Sequence, residues 1–450
     1  MSPSIATVIF GGFLLGLFLL DRDPKSRTSP AIWIPLAWVL IAASRMVSPW
    51  LGVGHTYETA DEILDGSPLD RLILTGLMTA GLMVLFARGR RAGTFLRLNG
   101  PILLFFLYGA VSVLWSDYPD VAFKRWTKAL GNVVMVLVVL TDPDPSAAVK
   151  RLLGRAGFLL IPLSVLLIKY YPELGVGYGP WGTQNYMGVA TGKNGLGYIC
   201  LIFGLGYLWR VLEAFRGQAP PRMDGPLIAQ GIVLAMTLWL FHMADSATSL
   251  ACFLIGGSLM WVTSLPGLAR RPTAVHLLVG AVLFVSVFGL FFDAGTDVVQ
   301  AMGRDTTLTG RTVFWNELLL TDTDPLFGTG FESFWLGERV KRLWGKYWWH
   351  PNQAHNGYLE VYLNLGWTGV ALLGLVMAWG YRNVVGALRR DPEAGRLRLA
   401  YFVVAAVYNL TEAAFNGIHL VWFAFLLAVT VVPEPRLWPA GRRTIRRGSH

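Results

Sequence analysis

The chain is a series of apolar runs separated by short polar breaks, many of them basic. Apolar stretches fall at about 5–20, 31–47, 71–87, 101–115, 129–141, 156–169, 194–213, 226–242, 246–264, 273–292, 356–380, 399–413 and 417–432. Runs of this kind predict helices that cross a bilayer, which takes about 20 residues per span; the shorter ones would cross with the help of loop residues. The last two are one long run, divided where Glu412, Asn416 and Gly417 interrupt it, so the pattern predicts twelve or thirteen spans. The expected fold is therefore all-α, a polytopic membrane protein with one long loop. The expected organisation is a bundle of about ten helices over 1–292, the large loop over 293–355, C-terminal transmembrane helices over 356–432 and a basic tail over 433–450.

Composition supports this and excludes alternatives. Of the 450 residues, 54% are hydrophobic and 15% charged, against about 25% charged in an ordinary soluble domain. That little polar surface cannot cover a soluble globule of this size. Cys200 and Cys252, the two cysteines, each sit inside an apolar run, so neither a disulfide framework nor a cysteine metal site can be built.

The formal charge of +10 is spread over short clusters between apolar runs, the pattern of cytoplasmic anchoring loops and not of a nucleic-acid surface. No basic residue precedes the first run, whereas Arg22, Lys25 and Arg27 follow it, the reverse of a secretory signal peptide. This predicts an N-terminus outside. Arg88, Arg90, Arg91 and Arg97, then Lys150, Arg151 and Arg155, then Arg210, Arg216 and Arg222, then Arg270 and Arg271, then Arg382, Arg389, Arg390, Arg396 and Arg398 follow alternate runs and fall on the cytoplasmic side. The tail adds Arg436, Arg442, Arg443, Arg446 and Arg447. The opposite side carries the acidic cluster of Glu58, Asp61, Glu62, Asp65 and Asp70 and a loop of about 63 residues from Asp293 to His355. A loop that long is functional or disordered. Its wealth of Trp, Phe and Gly predicts a folded, partly helical one, with short helices at 316–320 and 332–344.

One loop breaks the charge rule. After Trp115-Ser116-Asp117-Tyr118-Pro119-Asp120 come Lys124, Arg125 and Lys128, on the side that should carry few cations. Either a bound anion or pairing with Asp117 and Asp120 accounts for them. Three further places carry candidate chemistry. His355 lies where the long loop enters the next run; an imidazole there can act as a general base near neutral pH, although a lone interfacial histidine is ordinarily a polar tip. Glu360 is five residues on and shares the histidine's face only if the helix is distorted or His355 sits at its cap. Arg311, beside Gly310, has the fork that binds phosphate oxygens, or else pairs with Glu317 or Asp305. Lys193 and Asn194 open another run, where a snorkelling lysine is the commoner reading.

Gly328-Thr329-Gly330 lacks the rest of a dinucleotide fingerprint and any βαβ setting, so a nucleotide site is rejected. Trp335, Trp344, Trp348 and Trp349 are interfacial anchors or platforms for a sugar ring. His350 and His355 lack a third ligand, so no metal and no cofactor is expected.

The run from Arg311 through Pro325-Leu326-Phe327-Gly328-Thr329-Gly330 to His355-Asn356, followed after nine residues by Gly366 and Gly369, resembles the signature of the bacterial O-antigen ligase and polysaccharide polymerase superfamily. The resemblance is specific over about residues 300–380 and extends loosely, through the many spans and one long loop, over the whole chain. The Trp115-Ser116 loop with Arg125, the Lys193-Asn194 pair and Asp245-Ser246-Ala247-Thr248-Ser249 are similar to the branch that includes exopolysaccharide polymerases. Many members have an arginine after the serine of that last motif. Here it is Ala247, so a second arginine near the donor is missing or is supplied by Arg125 or Lys193.

The resemblance implies a GT-C-like helical membrane glycosyltransferase in the inner membrane, with its site facing the periplasm. The donor it implies is a glycan on undecaprenyl diphosphate. The acceptor is the lipid A-core (ligase) or nascent polysaccharide (polymerase), with inversion at the anomeric carbon and no metal. His355 would be the base and Arg311 its catalytic partner. Arg125, Lys193 and Lys124 would face the donor diphosphate, and Asn356, Glu360 and Asn194 would orient the site. Membrane lipids are the other expected partners, and nucleic acid is not one. The rival readings are a transporter or flippase of lipid-linked oligosaccharide and a non-catalytic assembly scaffold. The first would place ionisable residues at mid-membrane, where few are found.

Overall fold

A computed structural model describes residues 1–22, 28–53, 66–179, 182–215, 224–265, 267–268, 271–291 and 307–432. Lys25, Arg27, Glu58, Asp61, Glu62, Asp65, Arg216, Arg222, Arg270, Asp305 with the rest of 293–306, and the tail 433–450 lie outside the described residues.

Helix starts are set locally. Ser2, Ser67, Asp144, Asp224 and Asp391 each accept a backbone N–H at an N-cap, with proline in the first turn, where its missing N–H costs nothing. In chain order the helices are α1 (Pro3–Leu20), α2 (Trp33–Ala42), α3 (Pro68–Ala87), α4 (Arg90–Leu98), α5 (Gly100–Val111), α6 (Pro119–Leu140) and α7 (Pro145–Tyr170). After a two-stranded antiparallel ribbon, β1 (Val176–Tyr178) and β2 (Gln184–Tyr186), come α8 (Lys193–Ala214), α9 (Gly225–Ala244), α10 (Ala247–Val262) and α11 (Pro272–Phe291). The long loop holds α12 (Thr307–Leu319) and α13 (Gly337–Lys346). The chain then runs through α14 (Gly357–Arg390), α15 (Pro392–Tyr408) and α16 (Leu420–Val429).

Each of the thirteen apolar stretches carries a helix. Among the described residues seven helices are long and apolar enough to cross a membrane singly, and eight if the bent pair α4–α5 counts as one. The chain is an all-α, multi-pass membrane protein. Among the described residues the ribbon, three residues a strand, is the only sheet.

The interior is built around α16, all ten residues of which are buried, and the second half of α6. One polar thread crosses it. Asn132 on α6 accepts from Trp38 Nε1 at 2.8 Å and donates to the Gly417 carbonyl at 2.8 Å, so no buried amide group there is left unpaired. By contrast α1 and α11 expose residues such as Val8 and Phe284, the apolar outer surface a lipid-facing helix needs.

The long loop is folded over its described part, as its composition predicts. Phe314, Trp315, Phe334, Trp335, Val340 and Leu343 form a second core with Leu363 of α14. The expected helix at 332–344 begins later, at Gly337, because Glu332 takes a left-handed conformation (φ 47°) and turns the chain.

Candidate functional site

Two motifs separated in sequence form one joint. α14 breaks at Gly366, whose φ of 63° suits glycine. Into that break fits the Pro325–Gly330 turn. Thr329 and Gly330 donate to the Leu363 and Asn364 carbonyls at 3.2 and 2.9 Å, and Trp367 and Thr368 donate back to Pro325 and Leu326 at 2.9 and 3.1 Å. A Cβ on Gly366 would lie 2.3 Å from the Leu326 carbonyl, and one on Gly328 2.4 Å from that of Asn364. Both glycines are required by backbone-on-backbone contact.

The joint fixes the first turns of α14 and so the residue that leads into them. Asn356 caps the helix, accepting from Tyr358 and Leu359 N–H at 3.0 Å each. Its amide donates to the Leu410 carbonyl at 3.2 Å, and Gly357 N–H donates to the Asn409 carbonyl at 2.8 Å, docking the start of α14 on the end of α15. Glu360 folds back. Its carboxylate accepts from Ala354 N–H at 2.9 Å and from Trp335 Nε1 at 2.6 Å. It does not touch the His355 ring; it fixes the residue before it, whose carbonyl also accepts from Trp315 at 2.7 Å. Clamped on both sides, His355 adopts a left-handed conformation (φ 50°), a strained state for a residue with a side chain.

The imidazole meets a carboxylate not expected from the sequence. Glu412, in the turn between α15 and α16, places Oε2 3.4 Å from His355 Nδ1. Its Oε1 accepts from Asn194 at 3.2 Å and lies 3.8 Å from an Arg311 nitrogen. Arg311 also donates to the Thr411 carbonyl at 2.6 Å. Glu412 is 10% exposed, while His355 and Arg311 keep 27% and 29% of their side chains open. Glu412 is thus the buried hub, and the His355 imidazole and Arg311 guanidinium form its accessible face. Lys193, next to Asn194, pairs with Asp245 at 3.6 Å.

Arg125 belongs to an adjoining group. It donates to the Glu332 carbonyl at 2.6 Å, and the Glu332 carboxylate accepts from Gly417 N–H at 2.5 Å. A cavity of about 750 Å³ is lined by Arg125, Glu332, Trp335, Trp344, His350, Glu360 and Gly417. Lys124, Arg125 and Lys128 also line a smaller cavity of about 330 Å³ with Arg71 and Asp70. Asp117, a sequence-level partner for these cations, pairs with Arg339 at 3.1 Å.

Arg311 pairs with Glu412 and not with Glu317. Glu317 is bonded to Lys346 and Tyr347, which hold its carboxyl below the usual range. Burial and that bond push the Tyr347 hydroxyl up to about 12. Trp344 stacks on His350, 4.8 Å between ring centroids, and Trp348 and Trp349 are exposed. Among the described residues no cluster of three or more His, Cys, Asp or Glu could hold a metal ion.

Sequence reasoning missed Glu412 and Glu332. The signal for Glu412 was present, since an acid interrupting an apolar run is costly unless it is used. Nothing local marks Glu332.

Comparison with known proteins gives two matches. A family model described as O-antigen ligase matches residues 231–374, which include Arg311, Gly328, His355 and Gly366 and stop short of Glu412. The chain is 26% identical over 367 residues to the exopolysaccharide production protein ExoQ of Rhizobium meliloti (strain 1021), covering 76% of this chain and 80% of that one.

Proposed function

We propose that this chain, which belongs to the superfamily of O-antigen ligases and polysaccharide polymerases, moves a glycan from undecaprenyl diphosphate to a sugar hydroxyl at the periplasmic face of the inner membrane. The observation that carries the reading is the convergence of His355, Arg311 and Asn194 on Glu412. Held toward Glu412, Nδ1 keeps the imidazole proton, which leaves the lone pair on Nε2. The acceptor hydroxyl attacks the anomeric carbon and gives its proton to His355. The bond from that carbon to the diphosphate oxygen breaks, and undecaprenyl diphosphate leaves. A single displacement of this kind inverts the anomeric configuration. The diphosphate gains negative charge as it departs, and Arg311 stands beside the base to take it up in place of a metal ion. Lys193, Arg125 and Lys124 add positive charge along the donor's path, and Glu412 stabilises the imidazolium until the proton is released.

The growing polysaccharide is the preferred acceptor, because the match to an exopolysaccharide production protein spans far more of the chain than the ligase model does. Lipid A-core is the second reading, carried by that model's description. The purified protein, reconstituted with a lipid-linked repeat unit, separates them. Longer lipid-linked chains and free undecaprenyl diphosphate identify a polymerase. Product only when lipid A-core is added identifies a ligase. Movement of the lipid-linked repeat across the bilayer without either product would sink the transferase reading in favour of a flippase.

A further inference from the structure

The charged end of the bundle remote from His355 holds a cavity that glycosyl transfer does not use. From the Gly366 break α14 runs 24 residues to Arg390, about 36 Å at 1.5 Å per residue, more than the roughly 30 Å of a bilayer's hydrocarbon core. Around Arg390 opens a cavity of about 720 Å³, within the size range of amphiphile-binding pockets. Its walls are apolar, with Leu140, Leu397 and Leu427 among them, and Arg91, Arg390 and Arg398 line it. Among the described residues lining it the one acid is Asp391, whose carboxylate caps α15 by accepting from the Glu393 and Ala394 N–H groups. Arg398 is anchored on the Ala428 and Thr430 carbonyls at 2.6 Å each, so one cation is held rigidly in the wall.

A second feature sets the cavity's depth. α4 and the helical segment beginning at Gly100 meet at 82°. Asn99 at the corner is clasped to Val431, accepting its N–H at 2.8 Å. α4 is short, basic and amphipathic, with Phe95 buried on one face and Arg90, Arg91 and Arg97 along its length, the make-up of a helix that lies in a membrane interface. Arg91 of that helix lines the cavity. The cavity therefore opens where lipid phosphates sit.

We propose that this cavity is a binding site for an anionic phospholipid, with its phosphate between Arg91, Arg390 and Arg398 and an acyl chain along the apolar wall. The ligand is a phosphate group, which a lipid or a soluble anion could supply. The apolar wall selects the lipid. This site is independent of the transfer reading.

The test is native mass spectrometry and thermal unfolding of the full chain in phosphatidylcholine nanodiscs with and without phosphatidylglycerol. Wild type is expected to retain phosphatidylglycerol and to melt higher in its presence. An Arg91→Gln/Arg390→Gln variant should retain it about tenfold less, whereas Arg91→Lys/Arg390→Lys should keep most of it. Equal retention of the two lipids by wild type overturns the proposal, as does equal retention by wild type and the Gln variant. If millimolar pyrophosphate displaces phosphatidylglycerol and gives the same thermal shift, the site is for a soluble anion and the lipid assignment fails.

Discussion

Glu412 Oε2 lies 3.4 Å from His355 Nδ1, two residues 57 positions apart in the chain. The pairing exists because the start of α14 is hydrogen-bonded to the end of α15 through Asn356 and Gly357. His355 and Glu412 are thus brought together by one docked helix pair, and Arg311 joins them from the long loop.

Glu412→Gln tests that pairing directly. The amide keeps an oxygen for Asn194 but no longer offsets the charge on a protonated His355. Transfer is expected to fall about 100-fold with normal abundance in the membrane, and His355→Ala should fall at least as far. A Glu412→Gln protein with more than half the wild-type rate would remove the acid from the mechanism.

Arg311→Ala is expected to lower transfer by about 100-fold to 1,000-fold, the range for losing a donor to developing charge. Arg311→Lys keeps the charge but loses the planar fork, and should recover only part of the rate. Measured with short and long donor glycans, the deficit should be the same if, as proposed, the lost contact is to the diphosphate.

Much of this was legible in the sequence. Each apolar run carries a helix because a bilayer-sized run has little else to form once its backbone must be satisfied internally. His355 at the head of a helix followed from the entry of a long loop into an apolar run. Glu412 was read only as an interruption between two runs. Its role depends on which helix end docks beside it, and no local pattern encodes that. The same holds for Glu332, whose partners Arg125 and Gly417 are remote in sequence. The bend at Asn99 was hidden because α4 and α5 are separated by a single residue. The orienting role of Glu360 is implied by the resemblance, while its spacing from His355 leaves the contact conditional; the structure gives its carboxylate to Ala354 and Trp335, beside the histidine.

Glu360→Gln should be felt at His355 without contacting it. Either Ala354 N–H on one carboxylate oxygen or Trp335 Nε1 and the Asn364 amide on the other would face an NH2 group, at a cost of about 1–3 kcal/mol for a buried mispairing. The expected outcome is a lower melting temperature and a lower kcat, with the KM for lipid-linked donor little changed. A lowered melting temperature with wild-type kcat would show that Glu360 serves folding alone.

Gly366→Ala should be among the most damaging small substitutions. The left-handed backbone alone costs roughly 1–2 kcal/mol for a residue with a Cβ, and the new atom would sit 2.3 Å from the Leu326 carbonyl. Limited proteolysis should show the long loop cut faster, while a control such as Gly374→Ala, where nothing lies within 4 Å, should behave as wild type.

The loop's own stability should depend on pH in a defined direction. Hydrogen bonds from Lys346 and Tyr347 hold the Glu317 carboxyl below its usual range. Their contribution is therefore fully present above the unfolded carboxylate range and is lost as pH falls through the lowered folded value. Tyr347 acts at the other extreme. Raised to about 12, its hydroxyl favours the fold below the ordinary tyrosine range and loses that effect as pH climbs toward 12. Tryptophan fluorescence followed during acid titration should show a transition that Glu317→Gln moves or flattens. An identical titration in the variant would mean that this bond does not hold the loop.

The joint between the Pro325–Gly330 turn and the break at Gly366 is made of main-chain contacts. How the two halves meet is therefore set by the backbone and by Gly328 and Gly366, not by the side chains of the turn. Residues 336–353 include α13 and two of the ring side chains that line the cavity, Trp344 and His350. Under the proposed transfer, side chains over the cavity such as Trp344 and His350 can change while the main-chain joint that positions His355 stays as it is, so that sugar preference and chemistry become separable properties of one loop.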